Sequence, residues 1–478
     1  MLEQALQKHF GYTSFRTGQK EVIEQLLAGR DVIALLPTGM GKSMCYQLPA
    51  YLLDGPVLIV SPLLSLMQDQ VDQLKQFGEK RVVALNSFLT AEQKRYALHF
   101  LHQYRFIFAS PEMLMQPQVK ERLRAIRLGL IVADEAHCIS QWGFDFRPDY
   151  LRLGEIIPKH NKPPILALSA TATQTVLQDI ERYLHMQSPF YFLHSVNRPN
   201  IHLAKRFFQQ KDDKINWILE HVQTTDGPGI IYTQSRSKTE TLSMALLERG
   251  IAAAAYHAGK EAEDRQFIQQ QFLVGKLEWI VATNAFGMGV HKGDIRQVIH
   301  EFMPANIANY MQEIGRAGRD GQPAVATLLY ADGDEQFSQF IVTEDLPKMQ
   351  HIEHYLANGD HPMRMLDAGE ISETAFRVLH YWMQQESSEA VQKRLQQMEM
   401  DKYKAVHEML QIVQATDCMR ERLVNYFGQQ LAEKTPNCCQ NCGLVFEEIL
   451  SAKQTVEEPE KILTWQERLQ RILLSSLR

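Results

Sequence analysis

Short uninterrupted apolar runs alternate with longer amphipathic stretches through most of the chain. Val32–Leu36, Val57–Ser61, Val82–Leu85, Phe106–Ser110, Leu130–Asp134 and Ile165–Ser169 form a first set. Strands without polar alternation are buried on both faces, so runs separated by helical sequence predict a mostly parallel sheet covered by helices. Around Asn197–Pro199 the chain changes direction. A second set then follows at Gly229–Thr233, Ala252–Tyr256, Trp279–Thr283, Gln297–His300 and Ala326–Tyr330. From about residue 342 the β-type runs stop, and Gln-, Glu-, Met- and Leu-rich helical sequence continues to Phe427. The apolar spacing of Ile462, Trp465, Leu469, Ile472 and Leu473 predicts a terminal helix packed on the body. The pattern predicts two similar α/β lobes, residues 1–197 and 198–341, a helical segment 342–449 and a tail 450–478.

One feature separates the two lobes chemically. Residues 34–43, ALLPTGMGKS, lead from the first apolar run into a glycine-bracketed loop ending in Lys42-Ser43. With Thr38, Gly39 and Gly41, its backbone can fold tightly enough for N–H groups to surround phosphate oxygens. Lys42 then reaches the β/γ-phosphates, and the Ser43 hydroxyl suits Mg²⁺. The second lobe has no such loop. Adjacent carboxylates, Asp134 and Glu135, end a buried run of the first lobe, where sites of parallel sheets collect. Asp134 fits Mg²⁺ through its water shell and Glu135 the water that attacks the γ-phosphate. In the second lobe, Gln312-Glu-Ile-Gly-Arg316-Ala-Gly-Arg319 places two arginines three apart, as on one helical face, to stabilise charge on a transferring phosphoryl group.

Composition narrows the class. At 478 residues the chain exceeds a single core, and no stretch approaches 18 uninterrupted apolar residues. The N-terminus MLEQALQKHF does not read as a secretion signal, so the expectation is a soluble, cytoplasmic protein with no membrane partner. A net charge of -6 excludes a generally basic nucleic-acid binder but not a local basic cleft. Trp142, Phe144, Phe146 and Arg147, just after the paired acids, have the makings of a platform for stacking unpaired bases. Four of six cysteines fall late: Cys418, Cys438, Cys439 and Cys442 supply the thiolates of a closed zinc site. Buried free thiols are the alternative.

Taken together and in this order, the motifs resemble the RecQ family of DNA helicases within the DExH superfamily-2 motors. Those carrying the resemblance are Thr38–Ser43, Asp134–His137, Ser169–Thr173, Tyr232–Arg236, Ala282–Gly289 and Gln312–Arg319. The resemblance implies two RecA-like lobes and a zinc-binding helical subdomain. It makes Tyr12, Arg16 and Gln19 the adenine-recognition segment. Trp142–Arg147 becomes an aromatic-rich loop linking single strands to ATP hydrolysis, although Phe144 stands where the family usually has His. It implies 3′-to-5′ movement on single-stranded DNA and on tailed or branched duplexes, at the nucleoid, in repair and recombination, beside single-strand-binding or recombination proteins. Arg420, Arg422 and Tyr426–Gly428 match the segment preceding the family's zinc module. Its first C-x-x-C position falls here on Pro436, and Cys438 takes its place. Only 36 residues follow Cys442, too few for the winged-helix and small helical domains of longer members. The short end therefore keeps a translocase that separates little duplex as the alternative to the helicase, whereas Lys42, Asp134, Glu135 and Arg316 argue against a DNA clamp without turnover.

Overall fold

The computed structural model describes residues 2–37, 39–62, 64–86, 88–140, 148–158, 160–287, 292–359, 361–433 and 435–450. Thr38, the aromatic residues Trp142, Phe144 and Phe146 with Arg147, and the expected terminal helix lie outside them.

Seven parallel strands build the first sheet: β1 (Val32–Leu35), β2 (Val57–Val60), β3 (Val82–Leu85), β4 (Phe106–Ala109), β5 (Leu130–Ala133), β6 (Ile165–Ser169) and β7 (Phe190–Leu193). Their order is β3-β4-β2-β5-β6-β1-β7. The second sheet holds β8 (Ile201–Phe208), β9 (Gly229–Tyr232), β10 (Ala253–Tyr256), β11 (Trp279–Ala282), β12 (Gln297–His300) and β13 (Ala324–Ala331), also all parallel, in the order β10-β11-β9-β12-β13-β8. Each sheet is sandwiched by amphipathic helices, with a separate buried apolar cluster on either face. That double covering explains the unbroken apolar runs.

Two strands escape the sequence pattern. β7 is an edge strand whose residues alternate between half-buried and exposed. β8 carries His202, Lys205 and Arg206 within its ladder, and Lys205 is capped by the carbonyls of Val413 and Ala415.

The helical segment straddles the lobes. Helix Ser388–Gln414 has 27 residues, about 40 Å at helical rise. Its first half puts Val391, Leu395 and Met398 into a core cluster shared with lobe 1. Its second half puts Val406, Met409, Ile412 and Val413 into the lobe 2 core. Helix Glu373–Gln385 is docked on lobe 1 by Arg377, 3.5 Å from both Glu112 and Asp149.

Candidate active site and metal centre

After β1 the chain bends through two left-handed glycines, Gly39 (φ 93°) and Gly41 (φ 73°), before helix Met44–Gln47. Ser43 stands at the N-cap, yet its hydroxyl does not bond the helix's own N–H groups. Beneath the loop, Arg16 Nη1 donates to Gly39 O (2.5 Å). Gln19 Nε2 donates to Met40 O (3.1 Å) and Gly41 O (3.0 Å), and its Oε1 accepts from the Arg16 N–H (3.0 Å). A β-carbon on Gly41 would stand 2.8 Å from Gln19 Nε2. Arg16 and Gln19 thus tie down the loop's carbonyls. Tyr12 of the same segment is exposed.

β5 delivers the paired acids. Asp134 N–H donates to Val60 O, and Tyr150 Oη donates to Asp134 O (2.8 Å). Glu135 is one of few non-glycine residues in the left-handed region (φ 48°), and its N–H donates to Asp134 Oδ1 (3.0 Å). Such a conformation is costly for a residue with a β-carbon and is characteristic of functional sites. Burial first, then the neighbouring Glu135 charge, pushes the Asp134 carboxyl up to about 7. Burial acts the same way on Glu135, but Lys42, His137 and Arg316 outweigh it and hold this carboxyl below its usual value. Lys42 Nζ lies 3.9 Å from Glu135 Oε1. His137 Nδ1 is 3.5 Å from Glu135 Oε2 and 3.0 Å from Ser169 Oγ. Because the Ser169 hydroxyl spends its proton on Thr171 O (2.8 Å), His137 Nδ1 is the donor to Ser169.

Lobe 2 closes the cleft. The Arg319 stem packs on the phosphate loop, with Cγ 3.5 Å from where a Gly39 β-carbon would be. Its guanidinium is brought down to about 9 by burial, then by Arg316 and Arg198. Their three-residue spacing predicts a shared helical face, but Arg316 and Arg319 both lie beyond the helix. Helix Ile307–Ile314 stops at Gly315, and Gly318 turns left-handed (φ 54°), so both arginines leave from a tight turn. Arg198 and Asn200 secure that turn, donating to Gly318 O at 2.7 and 2.8 Å. Neither was singled out from the sequence. The polar Asn197–Asn200 cluster at the lobe junction was the available sign.

The four cysteines converge beside β8. All four sulfurs lie within 4.8 Å of one another, and Cys418 Sγ to Cys438 Sγ is 3.7 Å. A tetrahedral Zn–S₄ centre with bonds of about 2.3 Å has sulfurs about 3.8 Å apart, so the donor set fits zinc. Adjacent Cys438 and Cys439 both reach the centre because Asn437 precedes them in a left-handed turn (φ 55°). Burial pushes the Cys439 thiol up, but the backbone N–H groups of Met419, Cys442 and Asn441 and the Cys442 side chain outweigh it and hold it below its usual value. Cys438 O accepts from Leu203 N–H (3.1 Å) and Arg420 Nη2 (3.2 Å), which fastens the knot to β8.

A phosphate loop, paired acids and two opposed arginines across a cleft between parallel-sheet lobes define a nucleoside-triphosphate-driven helicase motor. Three family models match: DEAD/DEAH box helicase over residues 16–180, helicase conserved C-terminal domain over 213–321, and RecQ zinc-binding over 376–443. The chain is 44% identical over 456 residues to the probable ATP-dependent DNA helicase RecS of Bacillus subtilis, covering 92% of each. It is 42% identical over 356 residues to ATP-dependent DNA helicase RecQ of Haemophilus influenzae, covering 73% of this chain and 57% of that longer protein. The chain belongs to the RecQ family of ATP-dependent DNA helicases and carries that family's zinc-binding subdomain. Solved structures show the fold alone. The DUF1998 helicase MrfA bound to DNA matches with a TM-score of 0.59 at 19% identity, over 71% of this chain and 52% of that one. S. cerevisiae Dbp5 bound to RNA and ADP BeF3 gives 0.57 at 18% identity, over 72% and 90%.

Proposed function

We propose that this chain hydrolyses ATP to move 3′ to 5′ along single-stranded DNA and to unwind tailed or branched duplexes during repair and recombination. The carrying observation is the convergence of Lys42 and Glu135 from lobe 1 with Arg316 and Arg319 from lobe 2 at one cleft. Lys42 binds the β/γ-phosphates, Glu135 takes the proton of the attacking water, and the arginines meet charge developing on the γ-phosphoryl oxygens. Ser43, with its hydroxyl unspent on the helix, and Asp134 are the residues that would hold Mg²⁺. When bound with the nucleotide, the ion neutralises phosphate charge. Tyr12, Arg16 and Gln19 bind the adenine end. Trp142, Phe144, Phe146 and Arg147 couple bases to hydrolysis. Among the described residues no helix is long and apolar enough to cross a membrane. The reading places the enzyme in the cytoplasm at the nucleoid, where single-strand-binding and recombination proteins are the partners it would meet.

The test is strand separation of 3′-tailed and 5′-tailed duplexes with hydrolysis followed in the same tube, beside Lys42→Ala. The expected result is separation of the 3′-tailed substrate only, abolished in the variant. DNA-stimulated hydrolysis without separation would replace the helicase by a translocase. Preference for the 5′ tail would reverse the polarity.

A further inference from the structure

The zinc donor set is unevenly covered. Cys438 and Cys439 are buried, Cys418 is half-buried, and Cys442 is the most open of the four. All four sulfurs lie within 4.8 Å of one another, so a reagent that reaches the outermost one meets it beside three further thiolates. The residue before Cys442 also holds it against one particular partner. Asn441 Nδ2 donates to Ala415 O (2.8 Å) and Asp417 O (2.6 Å), on the stretch that leads directly into Cys418. This clasp is made of an amide side chain and backbone carbonyls, and does not depend on a metal.

The inner pair is held differently. Cys438 O accepts from Leu203 N–H (3.1 Å) and Arg420 Nη2 (3.2 Å), and Cys439 forms a β-bridge with Leu203. Adjacent residues have Cα atoms about 3.8 Å apart, shorter than the roughly 4.4–6.8 Å that disulfides span, so Cys438 and Cys439 are poorly placed to pair with each other. The ligands therefore divide into an outer pair that can join and an inner pair that stays reduced. The inner pair is also the one connected to the cleft. Arg420 Nη1 donates to Arg198 O (2.8 Å), and Arg198 Nη2 donates to Gly318 O (2.7 Å) in the turn that carries Arg316 and Arg319.

We propose that the zinc knot is a reversible latch sensitive to peroxides, with Cys442 the sulfur oxidised first and Cys418 the thiolate that resolves it. The Cys442 thiolate attacks the peroxide: an S–O bond forms, the O–O bond breaks and hydroxide leaves. The Cys418 thiolate then attacks that sulfur: an S–S bond forms, the S–O bond breaks and a second hydroxide leaves. Two thiolates lose two electrons in all, and one hydrogen peroxide is reduced to two hydroxides. Cys438 and Cys439 alone are too few donors for a closed zinc site. The Cys438 sulfur then loses its anchor, and the joint through Arg420 to the arginine turn loosens.

The test treats the zinc-loaded chain with hydrogen peroxide, reads released zinc with a chromogenic chelator, blocks remaining thiols by alkylation and maps linkages by mass spectrometry. The expected result is one zinc released per disulfide, a single linkage from Cys418 to Cys442, and alkylated Cys438 and Cys439. ATP hydrolysis should fall by about tenfold or more, the scale of misplacing a catalytic group, and should return with dithiothreitol and zinc. A disulfide through Cys438 or Cys439, or sulfinic acid without a disulfide, overturns the assignment. Zinc retained under peroxide, or zinc lost with hydrolysis unchanged, overturns the latch. Asn441→Ala should keep zinc while reduced but divert oxidation from the disulfide to sulfinic acid. An unchanged yield of the Cys418–Cys442 linkage in this variant removes the clasp, and loss of zinc from its reduced form assigns Asn441 to the metal centre instead. In both cases the linkage found in the unmodified chain still decides the latch.

Discussion

Gly287 is the floor on which Arg316 rests: a β-carbon added there would stand 2.1 Å from Nη2 of the guanidinium and 2.2 Å from Cζ. Its backbone is outside the left-handed region, so alanine meets no conformational penalty and the whole effect falls on the arginine. Arg316 is itself buried, and its charge helps to hold the Glu135 carboxyl below its usual value. Gly287→Ala should cut DNA-stimulated kcat by about 10²-fold or more, given that such arginines contribute 10³–10⁵. KM for ATP should change little, because Lys42 and the phosphate loop remain. Steady-state hydrolysis with saturating single strands reads both. A variant within twofold of the parent would remove Arg316 from the chemistry.

The chemistry was more legible in the sequence than the contacts that hold it. Lys42, Asp134 and Glu135 were readable because glycine spacing and a carboxylate pair at the end of an apolar run admit few alternatives. The turn bearing Arg316 and Arg319 was not. A three-residue spacing looks helical unless Gly315 and Gly318 are given their backbone meaning, and that meaning depends on Arg198 and Asn200 more than a hundred positions away. β8 was missed for a similar reason. Its lysine is paid for by the carbonyls of a distant helix end, which no local pattern announces. The zinc knot lay between these cases, with its ligands visible and its left-handed Asn437 hidden.

Gln19 spends both ends of its carboxamide under the phosphate loop, so its loss should loosen the loop before it alters the chemistry. Removing buried hydrogen bonds of this kind costs about 1–3 kcal/mol, or roughly tenfold or more in ATP affinity. Gln19→Glu should be worse than Gln19→Ala, because a carboxylate would face the carbonyls of Met40 and Gly41. Titration with a fluorescent ATP analogue gives the order. Equal affinities for all three proteins would show that Gln19 does not shape the loop.

His221 gives lobe 2 an acid limit. Its ring stacks on Trp217 at 4.4 Å, meets the edge of Phe446 at 5.9 Å, and bonds Gln297 Oε1 at 2.9 Å. Burial, assisted by the nearby Arg206 charge and opposed by the Gln297 bond, brings its folded value down to about 4. An unfolded histidine titrates near 6.5, so between these values the unfolded chain binds more protons and stability rises with pH. The contribution is complete above about 6.5 and is lost as pH falls toward 4, on the order of 3 kcal/mol in all. His221→Gln should flatten this part of the stability curve in urea titrations at pH 5 and pH 7.5. An unchanged difference between the two pH values would show that His221 is not the titrating group.

Arg420 separates holding the zinc knot in place from binding its metal. Buried beside the knot, it donates through Nη1 to Asn197 Oδ1 (2.7 Å) and Arg198 O (2.8 Å), and through Nη2 to Ile201 O and Cys438 O. It touches no sulfur in these bonds. It joins the knot, the start of β8 and the lobe junction that secures the arginine turn. Arg420→Ala leaves several carbonyls without donors and should cost about 2–4 kcal/mol, yet the thiolates stay and so should the zinc. A lysine has no planar fork and should recover only part of the loss. Cys438→Ser should instead lower metal content and stability together, because metal binding in such modules is coupled to folding. Metal analysis and thermal melting of the three variants decide the matter. Zinc lost from Arg420→Ala to the same degree as from Cys438→Ser would mean that the arginine maintains the metal centre as well as the joint.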